Sequence, residues 1–298
     1  MTEPRRFTDI DLGTMAPPDV IETLDFERIV EALRDDLVAR LPSIANVIDL
    51  KSEPSRKLIE AFAYREMLLR ARINDAARSV LISSAGGADL DHLGAFYGTV
   101  RQMVPGPDGE DVPEDDARFR RRVQLAPEAF STAGPAGAYI YHALTAAPWA
   151  RDASATSPAP GKVRVAVLQS GDDPEPDPAD LADVRAALRA RDIRPLTDDV
   201  HVTGPDVVDV DIEATLSIYS GPDHAMVRAR AEAALGAWLE HNRMLGRSLR
   251  RSAIMARLHV EGVHNVDLVA PGGDIEIEPW QVYRIASTQI AKAPTEEI

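Results

Sequence analysis

Cysteine is absent from this 298-residue chain. Its absence excludes disulfides, thiolate nucleophiles and thiolate zinc sites together, leaves packing and subunit contacts to hold the fold, and suits folding in the cytoplasm. Basic residues are in deficit: 33 Lys and Arg against 48 Asp and Glu give a formal net charge of -15. Such a surface repels phosphate, so general binding to nucleic acid is not expected. No apolar run approaches the roughly twenty residues that a membrane helix needs, and no charged n-region precedes an apolar h-region. Neither a membrane span nor export by a signal peptide is expected. The common nucleotide cradles, the Gly-x-Ser-x-Gly nucleophile elbow and the Asp-x-Asp-x-Asp-Gly calcium loop are missing too. These absences remove the commonest nucleotide and calcium cradles. No internal repeat of solenoid period is visible.

What is present is the composition of a globular protein, 45% hydrophobic and 27% charged, long enough for two or three separately cored domains. Residues 1–22, with Pro17-Pro18 and little periodicity, read as an extended arm. Phe26, Ile29, Val30, Leu33, Leu37 and Leu41 recur at helical spacing up to Pro42. A longer helix follows Ser52 and Pro54 and is expected to bury Leu58, Ile59, Phe62, Leu69, Ile73, Ala76 and Ala77, ending at Gly86-Gly87. A short helix, "DLDHLGAFYG", closes a helical domain over 23–104.

The stretch "PGPDGEDVP", 105–113, cannot propagate a helix and reads as a linker. Two helices follow, one from about Glu114 to Gln124 and one through Tyr141 and Leu144, with a break from Pro127 to Pro135. We expect 105–155 to be a linker and central helical segment with a joint around Pro127 to Pro135, and a further linker near residue 155. The last domain, 156–298, reads as strand, helix, strands, two helices and strand, which predicts helices packed on one face of a small mixed sheet. In "VVDVDIEATLSIYS", Val208, Val210, Ile212, Ala214, Leu216 and Ile218 face one way, with Asp209, Asp211 and Glu213 on a wet side. The fold class is α+β.

Arg118, Arg120, Arg121 and Arg122 form the one concentrated basic feature, preceded by Glu114, Asp115 and Asp116. It reads either as a nucleic-acid patch or as a salt-bridging surface for an acidic partner or for the chain's own acidic second domain; whole-chain charge and the lack of interleaved aromatics beyond Phe119 favour an outward face for a protein partner. Ser131 and His142 are the sharpest enzymatic alternative, a serine hydrolase with Ser131 as nucleophile and His142 as base. The small-residue setting of Ser131 suits a helix N-cap better. His259 and His264 flank Gly262 without a third ligand nearby.

Two blocks in order resemble a known family. "GADLDHLGAFYGTVRQ" is similar to the Gly-x-x-Leu-Asp-x-Leu-Ala-x-x-x-Gly-x-x-Arg block of phage baseplate J-like proteins, with Gly94 where that block has alanine, and "EDDARFRRRVQLAPEAFSTAGPAGAYIYHAL" resembles the block after it. "VEGVHNVDLVAP" stands where the family has its Gly-Val-x-x-Val-x-Leu strand. The resemblance implies a structural subunit of the baseplate wedge in a contractile tail of a phage, a tail-derived bacteriocin or a related injection system, assembled in the host cytoplasm, with no enzymatic activity, cofactor or metal expected. It further implies conformationally distinct self-pairs joined into a ring around the hub, and contacts with other wedge proteins, a sheath-initiator protein and the sheath. Interface or joint candidates from the three blocks are Leu90, Asp91, Leu93 and Arg101; Glu114, Asp116, Arg118, Arg120, Arg122, Ser131, Gly134 and Tyr139; and Gly262 and Val263.

Overall fold

A computed structural model describes residues 10–292 except 51, 107, 132–133, 192 and 221–222. The chain divides into two compact units, 1–101 and 102–298. Residues 1–9 of the expected arm lie outside the described residues.

The first unit is helical: α1 (Phe26–Arg40), α2 (Pro54–Ser79) and α3 (Gly87–Ala95). Asp25 caps α1 by accepting from the amides of Glu27 and Arg28, which satisfies donors that have no partner in the first turn. The cap of α2 is Glu53 rather than Ser52, with Pro54 where its fixed φ suits a first turn. Near the arm's end, the buried Asn74 side chain of α2 accepts from the Glu22 amide at 3.0 Å and donates to the Glu22 carbonyl at 2.8 Å. This pairing works like a rung of sheet and ties residue 22 to the helix.

The periodicity of α2 is correct but its expected burial is not. Ile59, Ala63 and Asn74 are its buried residues, whereas Leu58, Phe62, Leu69 and Ile73 are 59%, 64%, 66% and 58% exposed. Among the described residues of this unit, only Ile29, Ile48, Ile59, Ala63, Ala85 and Leu90 are buried hydrophobics. Two packed helices cannot cover both sides of a long apolar helix, so the stripe is left in water.

The second unit opens with a hairpin where a linker was expected: β1 (Met103–Pro105) pairs antiparallel with β2 (Asp111–Pro113). Gly109, at φ +81°, supplies the left-handed turn residue. Next come α4 (Asp116–Ala129) and α5 (Ala136–Ala146). α4 runs through Pro127 instead of breaking there, because Leu125 and Ala126, both essentially inaccessible, hold that turn on the core. Then β3 (Ala150–Ala159), β4 (Lys162–Gln169), α6 (Pro178–Leu188) and β5 (Asp199–Thr203) build a sheet in the order β3-β4-β5, antiparallel then parallel.

The remaining elements are β6 (Asp206–Ile218), α7 (His224–Asn242), α8 (Arg251–Leu258), β7 (Val263–Ala270) and β8 (Gln281–Lys292), with sheet order β7-β6-β8. So the single sheet expected over 156–298 is in fact two three-stranded sheets, and the division expected at 155/156 falls inside β3. Small residues explain the miss: β3 reads "ARDASATSPA", whose buried positions are mostly alanine and serine rather than alternating large apolar residues. Each sheet has its own core. The first joins Leu125, Tyr139 and Leu144 to Val165, Val167, Leu188 and Val202. The second joins Ile212 and Leu216 to Leu235, Ile254, Leu258 and Tyr283. Residues Gly204-Pro205 carry the chain between them. On β6 the alternation holds: Val210, Ile212, Ala214 and Leu216 are buried, while Asp209, Asp211 and Glu213 are exposed.

Candidate assembly site

The residues of the first block stabilise the end of the helical unit. Leu90 is fully buried and Leu93 half-buried, a turn apart on α3. Arg101 returns to the start of that helix, donating from Nε to Asp91 Oδ1 at 2.8 Å and from Nη2 to the Gly87 carbonyl at 3.4 Å. Gly98, at φ +67°, makes the reversal that brings Arg101 back.

The arginine run of α4 faces two ways, and this corrects the expectation of an outward surface. Asp115 caps the helix through the amides of Ala117 and Arg118, and Asp116 occupies the first turn, where an acid complements the helix dipole. Arg122 and Glu114 are 2% and 1% exposed. One Glu114 oxygen accepts from Arg118 Nη1 at 2.5 Å; the other accepts from Arg122 Nη1 at 2.6 Å and from the Gln102 amide at 3.1 Å. Two cations on one carboxylate lower the cost of burying all three charges.

Arg118 also reaches the far end of α5. It donates from Nη2 to the carbonyls of Leu144 and Ala147, both at 3.0 Å, and from Nε to that of Ala150 at 3.1 Å. The last carbonyls of a helix have no partner within it, and a planar guanidinium can serve several at once. Arg118 thus joins α4, the C-terminal end of α5 and the start of β3. Burial pushes its pKa down, opposed mainly by Glu114. Arg121 turns the other way onto the carboxylate of Asp152, while Arg120 stays half-buried over the Asp116 carbonyl.

Asp152, 3% exposed, is the centre of a second polar cluster. Besides Arg121 it accepts from the amides of Ala153 at 2.7 Å and Leu245 at 2.8 Å. Leu245 belongs to the segment after α7, so this carboxylate crosses from one core to the other. Other arginines cross the same seam. Arg151 donates to the carboxylate and carbonyl of Glu240, and Arg243 to the carbonyls of Gly171 and Asp172. Arg164 donates to Asp206 at 2.9 Å with its guanidinium 5.1 Å from the Trp280 ring centre. The two cores are held together mainly by charged and backbone hydrogen bonds.

Ser131 is exposed at the end of α4, and the cap of α5 is Pro135, so Ser131 is not the expected N-cap. Thr132 and Ala133 lie outside the described residues. Gly134, at φ +72°, packs on the turn before β5: a Cβ there would stand 2.9 Å from Pro195 Cγ and 3.1 Å from Asp198 Oδ2. Tyr139, 2% exposed, donates to the same Asp198 oxygen at 2.7 Å, and burial followed by that bond raises its phenol pKa. The loop thus rests on a fixed surface. His142, half-buried on α5, lies edge-on to Tyr141 at 5.3 Å. Ser131 joins helix to helix, whereas the elbow of a hydrolase nucleophile is a strained strand-to-helix turn; no non-glycine among the described residues has positive φ. Gly262, at φ +98°, turns the chain into β7, whose first residue, Val263, is 3% exposed and paired with Ile218. His264 bonds Tyr219 at 3.0 Å. Among the described residues no group of three or more potential ligands could hold a metal, and no helix is long and apolar enough to cross a membrane.

Sequence reasoning missed Gln102, Asp152, Arg151 and Arg243. Their roles depend on partners dozens of residues away and leave no local pattern.

Three family models match in chain order: the baseplate J-like N-terminal domain over residues 51–108, the central domain over 131–204 and the C-terminal domain over 210–290. The central match ends at Gly204 and the gap before the last one opens with Pro205, where one core gives way to the next. Baseplate protein J of Escherichia phage P2 is 41% identical over 283 residues, 91% of this chain and 94% of that protein. A chain from the cryo-EM structure of the anti-feeding prophage baseplate, 6-fold symmetrised, aligns at TM-score 0.43 and 15% identity, covering 62% of this chain and 47% of that one. Identity at this level over nearly the whole length, with all three domain models in order, places the chain in the baseplate J-like family.

Proposed function

We propose that the protein is a structural subunit of the baseplate wedge of a contractile tail, in a phage, a tail-derived bacteriocin or a related injection system. The observation that carries this reading is the uncovered helical unit. Its longest helix leaves Leu58, Phe62, Leu69 and Ile73 in water, a surface of the kind that marks protein contacts in a soluble protein. The relation to a phage baseplate protein supports the same reading.

In this reading the chain pairs with a second copy in a different conformation, and the pairs join into a ring around the hub. A sheath-initiator protein and other wedge proteins dock on the ring, which links baseplate triggering to sheath contraction. The interface or joint residues are sought among those of the three blocks that keep solvent contact, such as Asp91, Asp116, Arg120, Ser131 and Gly134. Buried members such as Leu90, Glu114, Arg122, Tyr139 and Val263 act through the fold that presents them. The test is to inactivate the gene and image the tail particles by electron microscopy. Tails without baseplates, restored by the gene in trans, support the proposal; normal baseplates overturn it.

A further inference from the structure

One surface of the helical unit is specific enough to name what covers it. On α2 the exposed residues Leu58, Phe62, Leu69 and Ile73 follow a four, seven, four spacing. At 3.6 residues per turn they fall within an arc of about 60° and extend about 22 Å along the axis. Such a seam matches the packing of another helix, since the heptad spacing is what keeps one helix in register against a second. Ile59 and Ala63, on the side of α2 that is buried, lie outside this arc.

The edges of the seam differ. On one edge stand Arg65 and Arg72, seven residues apart, both exposed and without an ion-pair or hydrogen-bond partner among the described residues. On the other, Glu66 is already engaged by Arg70 at 2.8 Å. A chain with net charge -15 that leaves two cations unpaired beside an apolar seam presents a local field opposite to its own. Residues 1–9, "MTEPRRFTD", balance Glu3 and Asp9 against Arg5 and Arg6 and hold no heptad-spaced apolar stripe to match it. A second copy of α2 laid antiparallel would set the two arginine edges side by side, and one laid parallel would set them against a Glu66 that Arg70 already engages.

We propose that the Leu58–Ile73 seam of α2 docks an amphipathic helix of a different subunit, one whose heptad-spaced apolar stripe is bordered by Asp or Glu on the edge that meets Arg65 and Arg72. The inference rests on the assembly reading only for the source of that helix; the surface itself belongs to this chain.

The test uses the full chain and two synthetic 21-residue helical peptides with the same leucine seam, one bordered by glutamates and one by lysines, with binding read by fluorescence anisotropy. The glutamate peptide should bind about tenfold more tightly at low salt, a preference that fades as salt screens exposed pairs. The charge-reversed variant R65E/R72E should invert the preference, and F62S/L69S, checked for unchanged circular dichroism, should bind neither peptide. Equal binding of both peptides, or indifference to R65E/R72E, overturns the assignment. So does loss of a self-associated species in F62S/L69S without any peptide binding to the parent chain, since the occupant is then a second copy. Because the assay contains no other baseplate protein, its failure would leave the assembly reading standing.

Discussion

Arg122 and Glu114 meet at 2.6 Å with side chains 2% and 0% exposed, and the same carboxylate holds Arg118. The charge-rich start of the second block is therefore interior structure. Its function is to fix α4 against α5 and β3 before anything can dock on the outside.

Removing the shared acid leaves two guanidiniums without their anion in a dry setting. Glu114→Ala should cost about 3–5 kcal/mol of unfolding free energy, the range for breaking one side of a buried pair. Arg118→Ala should cost a similar amount, because the carbonyls of Leu144, Ala147 and Ala150 lose their donor as well. Arg40→Ala, whose exposed side chain pairs with Asp36 one turn away on α1, should stay within about 0.5 kcal/mol. Urea unfolding of the three variants checks the ranking.

Asp152 provides a different readout. Asp152→Ala orphans Arg121 and the Leu245 amide together, at a cost of about 2–4 kcal/mol. Its specific mark is hydrogen exchange: the Leu245 amide, which donates to Asp152 at 2.8 Å, should exchange far faster while the amides of β6 stay protected. Uniform acceleration across both cores would show that the seam is not an independent contact.

Gly134→Ala tests the loop between α4 and α5. The positive φ and a Cβ only 2.9 Å from Pro195 act in the same direction, so a loss of about 1–3 kcal/mol is expected. Gly171→Ala, at φ +97° with no atom near its Cβ position, should show the smaller, purely backbone penalty of about 1 kcal/mol.

How much of this was legible in the sequence varies with the reach of each interaction. The alternation of β6 was legible because its side chains face core and water in strict turn, and Asp209 and Asp211 indeed pair outside with Arg284 and Ser287. The stripe of α2 was legible as a stripe, but periodicity records which residues share a face, not whether anything covers it. The arginines of α4 were read as outward because charge belongs in water by default. What reverses that here is a set of carbonyls at the end of another helix, and no local pattern encodes it. β3 was missed because alanine and serine carry little hydrophobic signal even when buried.

The wet face of β6 yields a pH prediction. The Arg284 guanidinium, bonded to Asp209 at 2.7 and 3.1 Å, holds the Asp209 carboxyl below its usual value. A folded-state pKa below the unfolded one gives stability that is present above the unfolded value, about 3.9, and is lost as pH falls through the folded value. An NMR titration should place Asp209 below the ordinary range, and Arg284→Gln should return it there. An unchanged titration in Arg284→Gln would remove the pair from the account of acid stability.

In an assembled baseplate, other subunits are expected to cover the helical unit. Hydroxyl-radical footprinting of intact tail particles against the purified chain measures this directly at Leu58, Phe62, Leu69 and Ile73. All four should label readily in the free protein and be strongly protected in the particle, while Val269, exposed on β7, serves as an internal reference within the same chain. Equal labelling of the four side chains in both states would contradict the claim.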